Sequence, residues 1–493
     1  MSDPGPEVLV VGAGPTGLLL AAELERRDVG CMLIDALDAP RGWDRATVVH
    51  ARSLQILEAL GIVDGVLDAG VRTRASRIYS DGALLGEVDL GLTGSRYGFQ
   101  IGLSEEVTES VLTAHLEAHG GVVTRSTALV GLKAGEDGVT ATLERDGERR
   151  EVVVRWVVGC DGMHSAVREA VGIDFPGTDI DARWGVFDAT LEGWSDAPDV
   201  VFAHLDRPPV ILTPLPGRRW RVYLRPRSET SDLVTEAEEV LLRHVPGVAF
   251  TGIESPTRFR CHSRVAARYR SGRVLLAGDA AHACTPAEGH GMNTGLQDAF
   301  NLGWKLALVC RGEAGAGLLD TYEAERRPVA ELVVSSGADA EIAHAMTDPG
   351  ERAARDAELR RMLADPDLVH HEAAAASELD RSYPRSRAVA GDDNAALAPG
   401  VLLPDTPQHL HELTRRPGHT LLVLGGPEAD PARVNALVTE LDGAVGTMDE
   451  AVAAQLGVVD VTILAVRPDR YVGLRDDSGD PRVVAEYLDG LVA

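Results

Sequence analysis

The stretch Val8-Leu9-Val10-Val11-Gly12-Ala13-Gly14-Pro15-Thr16-Gly17-Leu18-Leu19-Leu20 decides how the rest of the chain is read. Its β-branched run predicts a short buried strand, and the leucines after Gly17 predict a helix. Three glycines lie between them in the pattern G-x-G-x-x-G. Gly12 permits a tight strand-to-helix turn, Gly14 lets a pyrophosphate approach the backbone, and Gly17 lets the helix pack on the strand. The helix start offers unpaired N–H groups to phosphate. A second strand, Cys31–Ile34, ends at Asp35, which follows Gly17 by 18 residues. A carboxylate there accepts hydrogen bonds from ribose hydroxyls and repels a 2′-phosphate. The expectation is a doubly wound β-α-β unit that holds FAD or NAD rather than NADP.

Working outward, helical text runs from Ser53 to Leu60 and from Glu106 to His119, and residues 121–158 alternate as antiparallel strands. Residues 175–260 read as strands again, with Ile211–Leu215 and Trp220–Leu224 flanking Pro216-Gly217. Arg273–Ala277 returns to a buried strand, and a helix is expected from Met292 to Val309 with Leu296, Phe300, Gly303 and Ala307 on one face. The reading divides the chain into a dinucleotide-binding unit at 1–174 and 261–342 and a sheet unit at 175–260. A helical arm follows at 343–398 and a small α/β unit at 399–493. In the last unit the strand His419–Leu424, the helix Ala432–Leu441, the paired strands Val459–Val466 and Tyr471–Leu474, and the helix Val483–Leu491 are expected.

The choice between FAD and NAD comes from Arg273 onward. The strand ends in Gly278-Asp279, and after Pro286 the run Gly289-His290-Gly291-Met292-Asn293-Thr294-Gly295 opens a helix. Asp279 stands at the carboxyl end of a sheet strand, where doubly wound folds bind ligands. The first turn at Gly291, Met292 and Asn293 presents free N–H groups and the positive end of a helix dipole. That suits the anionic edge of a reduced flavin, whereas a nicotinamide gains no negative charge on reduction.

Composition bounds the rest. The 493 residues carry 48 basic and 76 acidic side chains, a formal charge of −28, which disfavours nucleic acid and anionic membrane as partners. Lys133 and Lys305 are the only lysines. Five separate cysteines, with no C-x-x-C pair, suggest neither a disulfide framework nor a zinc site and fit a reducing cytoplasm. His409-Leu410-His411-Glu412 and His370-His371-Glu372 lack metal-site spacing, so no metal is expected. Val8–Leu24 is broken by glycines and has no basic start, so it reads neither as a leader nor as a spanning helix.

The sequence resembles the group A flavoprotein monooxygenases, the FAD- and NAD(P)H-dependent aromatic hydroxylases related to p-hydroxybenzoate and phenol hydroxylase. Three ordered motifs carry the resemblance: Gly12–Gly17, then Val158-Gly159-Cys160-Asp161-Gly162 with Ser165 and Arg168, then Gly278-Asp279 through Asn301-Leu302-Gly303-Trp304-Lys305-Leu306. Ala398-Pro399-Gly400, Leu403-Pro404-Asp405 and Val466-Arg467-Pro468-Asp469 look like the thioredoxin-like tail of the polyketide and phenol hydroxylase branch. With no cysteine after Cys310, that tail cannot run thioredoxin chemistry.

What the resemblance implies is an α/β fold, with a Rossmann-type FAD domain interleaved with a sheet-rich substrate domain, and one noncovalent FAD. NADPH or NADH would be a transient co-substrate, because no second fingerprint exists for it. O₂ and a small aromatic substrate complete the reaction, which passes one oxygen to the ring through a C4a-hydroperoxyflavin. The protein would be a cytoplasmic monomer or homodimer. By the same resemblance Gly12, Gly14, Pro15, Gly17, Asp35, Arg45, Glu105, Asp161, Gly278, Asp279, Gly291, Met292 and Asn293 hold the cofactor. Glu105 stands where the family has glutamine. Glu288 and His290 stand where it reads Gly-Gly-Gln-Gly; beside the flavin they would alter its electrostatics, or, as charged loop residues commonly do, face solvent, which is the expectation favoured. His282 is expected to hold its loop by a hydrogen bond.

No dedicated acid–base residue is demanded. The Pro286 carbonyl and Tyr223 are candidates to line the substrate pocket. Baeyer–Villiger oxygenation, antibiotic-modifying hydroxylation and a non-catalytic flavin-binding role stay open as alternatives. A flavin-dependent halogenase is disfavoured because the six tryptophans contain no W-x-W, and an NAD-dependent dehydrogenase by the Gly278-Asp279 loop and helix.

Overall fold

The computed structural model describes residues 5–41, 46–135, 137–194, 199–285, 289–391, 397–405 and 409–492. Arg45, Pro286 and Glu288 lie outside them. The fingerprint strand sits inside a six-stranded sheet ordered Arg270–Ser271, Val274–Leu276, Trp156–Gly159, Val8–Val11, Cys31–Ile34, Val123–Thr124. Every neighbouring pair is parallel except the first. Val8–Val11 and Trp156–Gly159 are buried along their whole length, as strands covered on both faces must be. Helix Pro15–Glu25 packs against the long helix His290–Cys310, and a Cβ at Gly303 would lie 2.7 Å from Glu23 Cβ.

The long helix departs from a one-faced reading. Every residue from Asn293 to Ala307 is buried, so its polar stripe faces protein as fully as its apolar one. Five of its polar residues offset that burial by bonding to other segments, whereas Thr294 Oγ1 and Trp304 Nε1 have no hydrogen-bond partner among the described residues. Asn293, Gln297, Asp298, Asn301 and Lys305 all bond to side chains or carbonyls from other segments.

The second large sheet has eight strands: His282–Ala283, Ala249–Val265, Gly177–Glu192, Arg219–Leu224, Val210–Leu215, Val200–His204, Ala75–Ser80 and Ala83–Asp89. It therefore reaches outside the 175–260 span. The hairpin of residues 75–89, which the sequence reading left with the dinucleotide unit, docks on Val200–His204 in parallel register. That edge strand needed a partner, and only a segment distant in sequence supplied it. The arm also differs from expectation. Helix Asp320–Ala345 overruns residue 342, the helices Pro349–Leu363 and Pro366–Ala376 follow, and Ala390–Gly391 joins the last sheet as an edge strand.

That last sheet runs Ala390–Gly391, Val472–Asp476, Val461–Val466, Thr420–Gly425, Val445–Thr447. Helices Pro431–Glu440, Glu450–Leu456 and Pro481–Val492 accompany it. The strand at Val445 and the helix at Glu450 were not read from the sequence. One face of the sheet packs a core of its own, with Leu422, Leu424, Leu464 and Val472. The other, with Val423, Ile463, Ala465 and Leu474, is continuous with the main core.

Candidate active site

Strand register brings five of the sequence-derived residues to one edge. Val11 is aligned with Gly159 and Ile34, and Gly159 with Leu276, so Gly12, Asp35, Asp161 and Gly278-Asp279 all follow the carboxyl ends of adjacent parallel strands. The glycines there have distinct jobs. Gly12 has φ of +102°, and a Cβ on it would lie 2.3 Å from Cys160 O. A Cβ at Gly17 would lie 1.9 Å from Gly12 O. At Gly14 the nearest atom among the described residues would be Glu109 Oε1 at 3.9 Å, so the space in front of it is open to them. Helix Pro15–Glu25 begins with Gly14 at its N-cap, and no described side chain caps its first turn.

Asp35 braces this loop. Its Oδ2 accepts the Ala13 N–H at 2.7 Å and its Oδ1 accepts the Leu37 N–H at 2.8 Å, while Arg125 stands 3.8 Å away. Asp161 accepts the Val167 N–H at 3.1 Å at the start of helix Ala166–Ala170. Burial pushes its carboxyl above the usual carboxylate range even so.

Gly278-Asp279 forms a tight turn with Gly278 at φ of +61° and Asp279 exposed at the edge. The turn is held by Asp298, a residue sequence reasoning missed. Asp298 accepts from Gly278 N at 3.1 Å, His282 Nε2 at 2.7 Å and Arg326 Nε at 2.8 Å. His282 thus does hold its loop, as expected of it. A polar stripe is legible in the sequence, with Asn293, Gln297, Asn301 and Lys305 recurring every fourth residue, but Asp298 lies next to that stripe and not on it.

The helix His290–Cys310 starts beside this edge, with Gly289 at its N-cap and no described side chain capping it. Among the described residues a Cβ on Gly291 would meet only Cys284 Sγ, at 3.6 Å, and Met292 is half-buried against the core. The Asn293 side chain points inward: its Oδ1 accepts the His50 N–H at 2.9 Å, and its Nδ2 donates to Val48 O at 2.9 Å. Any part it has in ligand binding therefore falls to its backbone. Glu105 Oε2 accepts the Ala46 N–H at 3.3 Å.

The solvent-facing expectation for His290 is corrected. It is buried, its Nδ1 lies 2.9 Å from Glu378 Oε1, and its ring sits 5.0 Å from that of His50. Glu378 also accepts from Gln297 at 2.6 Å, so the arm reaches the helix start and takes the imidazole out of water. Burial drives the fully enclosed His50 down to about 4.

Tyr223 lies on the eight-stranded sheet in an apolar patch with Trp184, Val186, Cys261 and Phe259. Its hydroxyl is 3.0 Å from Thr47 Oγ1. Thr47 adjoins Val48, whose carbonyl is the one bonded by Asn293, so the sheet face and the helix start meet within two residues.

Residues 6–336 match the FAD binding domain family. This chain belongs to that family. It is 34% identical over 454 residues to the pentachlorophenol 4-monooxygenase of Sphingobium chlorophenolicum, with 87% of this chain and 82% of that protein covered. It is 32% identical to the 6-methylpretetramide 4-monooxygenase of Streptomyces rimosus, with 99% and 94% covered. The ternary complex of aklavinone-11 hydroxylase with FAD and aklavinone superposes with a TM-score of 0.79 at 26% identity, over the whole of both chains. The protein is an FAD-dependent monooxygenase, which sets aside the non-catalytic alternative.

The residues present fit FAD. The flavoprotein leaves Gly14 open and two helix starts uncapped on one edge, where a pyrophosphate and an anionic ring edge would each find backbone N–H groups. Asp35 and Asp279 both follow the carboxyl ends of parallel strands at this edge. FAD supplies the oxygen-activating chemistry when bound. Among the described residues, no helix is long and apolar enough to cross a membrane.

Proposed function

We propose that this flavoprotein hydroxylates a phenolic, polyketide-type ring system, consuming NAD(P)H and O₂ and releasing water. One oxygen atom enters the ring, the other leaves as water, and the two electrons come from the nicotinamide. The observation that carries the substrate reading is the link from Tyr223 through Thr47 to the helix start held by Asn293. That link brings the aromatic, apolar patch around Tyr223 within two residues of the helix start, which supports a flat ring system as substrate. The phenol and polyketide relatives support the same class.

The chain's own task is to hold the ring, exclude water and favour the phenolate. Tyr223 and the Pro286 carbonyl serve as pocket lining. The thirteen cofactor positions inferred from the resemblance keep that role in this reading, Arg45 and Glu105 included. NAD(P)H binds transiently over the flavin, since the chain has one dinucleotide fingerprint. The last unit is a thioredoxin-like fold that serves structure: its strand order and its β-α-β at Thr420–Thr447 support that reading, and it has no cysteine.

The test is NAD(P)H oxidation by the FAD-loaded protein across a panel of simple phenols and polycyclic phenolic polyketides. Stimulation by a polycyclic phenol, with a hydroxylated product by NMR, supports the reading. An ester or lactone product would assign Baeyer–Villiger oxygenation instead. Stimulation by simple phenols alone would overturn the polyketide class.

A further inference from the structure

We propose that His204, Asp206 and His244 hold a divalent transition-metal ion, with Zn²⁺ the natural fit, in the sheet unit away from the flavin edge. No spacing motif announces this, and the sequence reading expected no metal. Strand Val200–His204 ends at the first ligand, Asp206 follows two residues on, and His244 comes just after helix Leu233–Leu241. The fold closes them together, with one ligand atom from each within 4.8 Å of the others.

The geometry is near that of a loaded site. His244 Nε2 and Asp206 Oδ2 are 3.0 Å apart, and two ligands about 2.0–2.1 Å from a tetrahedral ion lie about 3.3 Å apart. The two imidazole rings stand 4.3 Å apart at 61°, with Tyr79 packed on both. Two neutral imidazoles and one carboxylate are a usual donor set for zinc, and three protein ligands leave a fourth position for water.

A separate observation points to a ligand. His204 is 1% exposed, yet neither of its ring nitrogens has a hydrogen-bond partner among the described residues. Buried polar atoms are ordinarily paired, and an ion between the rings would satisfy one of these. On binding, the His244 proton moves from Nε2 to Nδ1, which frees the Nε2 lone pair without changing the ring's charge.

Arg243 is the charged neighbour that opposes a cation. Its guanidinium lies 3.3 Å from Asp206 Oδ1, the oxygen that does not face the histidines, and its side chain is 44% exposed. It orients the carboxylate and can swing outward. Arg355 donates to the Leu205 carbonyl at 3.2 Å and is engaged there. The ion would tie the strand end to the helix that covers the sheet, so its role is structural.

The experiment uses the FAD-loaded protein, stripped with a chelator and titrated with Zn²⁺ against a competing chromogenic chelator. One equivalent should bind above the weak background of the acidic surface. The substitution His244→Gln should weaken it at least about tenfold while the flavin spectrum is unchanged. Zn²⁺ should raise the thermal midpoint of the unsubstituted protein and not that of the variant. Zinc-edge X-ray absorption on the unsubstituted protein gives a reading that does not depend on the variant folding. An imidazole-containing first shell is expected, and an all-oxygen shell overturns the site. So does equal affinity in His244→Gln, or no stoichiometric binding.

Discussion

Arg467 meets Glu325 through both terminal nitrogens of its guanidinium, each 2.8 Å from a carboxylate oxygen, with both side chains buried. Arg467 follows the strand Val461–Val466 of the last unit, and Glu325 lies on helix Asp320–Ala345. Lys305 Nζ reaches the same carboxylate at 2.7 Å, and Asp469 takes the other side of Arg467 at 2.6 Å. Burial alone would raise the Glu325 carboxyl. Arg467 and Lys305 overcome that and hold it well below the usual range. One of only two lysines in the chain is thus spent inside, and burial lowers it to about 8.

Arg467→Met should destabilise the protein by about 3–5 kcal/mol, because it strands buried Glu325 and Asp469 with too little positive charge. Urea unfolding followed by tryptophan fluorescence measures it. Combining it with Glu325→Gln should cost less than the two single losses added together.

Removing residues 399–493 should leave an insoluble chain. Truncation uncovers the apolar face continuous with the main core and removes Arg467 from Glu325. A soluble, FAD-loaded truncation would show instead that the tail is a detachable cap.

The fingerprint glycines should separate folding from binding. Gly17→Ala drives a methyl to 1.9 Å from Gly12 O and should abolish soluble expression. Gly14→Ala meets nothing among the described residues closer than 3.9 Å, so it should fold normally. It should nonetheless lose about tenfold in FAD affinity, some 1.4 kcal/mol, by crowding the pyrophosphate. Flavin fluorescence titration reads both.

Asp279 and Asp298 should behave oppositely. Asp279→Ala touches an exposed side chain, so stability should hold while FAD affinity falls about tenfold to a hundredfold. Asp298→Ala removes the acceptor of Gly278 N and His282 and leaves Arg326 buried beside it uncompensated. A loss of about 3–5 kcal/mol of folding stability should follow.

Acid should destabilise the protein before its carboxylates titrate. Burial lowers His50, His344 and His419 each to about 4. Their folded forms stay neutral below the ordinary value of 6.5, while the unfolded chain takes up the protons. Stability should therefore fall as pH drops from about 6.5 to 4, by up to about 1.4 kcal/mol per pH unit for each histidine. Below about 4.5 the loss of Glu325 adds to it. Urea midpoints measured from pH 7.5 to 4.5 check this, and a flat profile would contradict it.

The sequence by itself determined the strand Val8–Val11, the glycine turn, the helix after it and the edge where Asp35, Asp161 and Asp279 gather. Those are local matters: a β-branched run, a sterically required glycine and a helical repeat are each settled by residues within a turn or two of one another. Only the tertiary structure decided that Asp298 clamps Gly278, that His290 is buried on Glu378, and that the hairpin of residues 75–89 completes the eight-stranded sheet. It also decided that Arg467 pairs with Glu325, 142 positions away. Each joins groups whose spacing along the chain carries no periodic signal. A buried charge or an open strand edge demands some partner, and which one it receives depends on how distant segments pack.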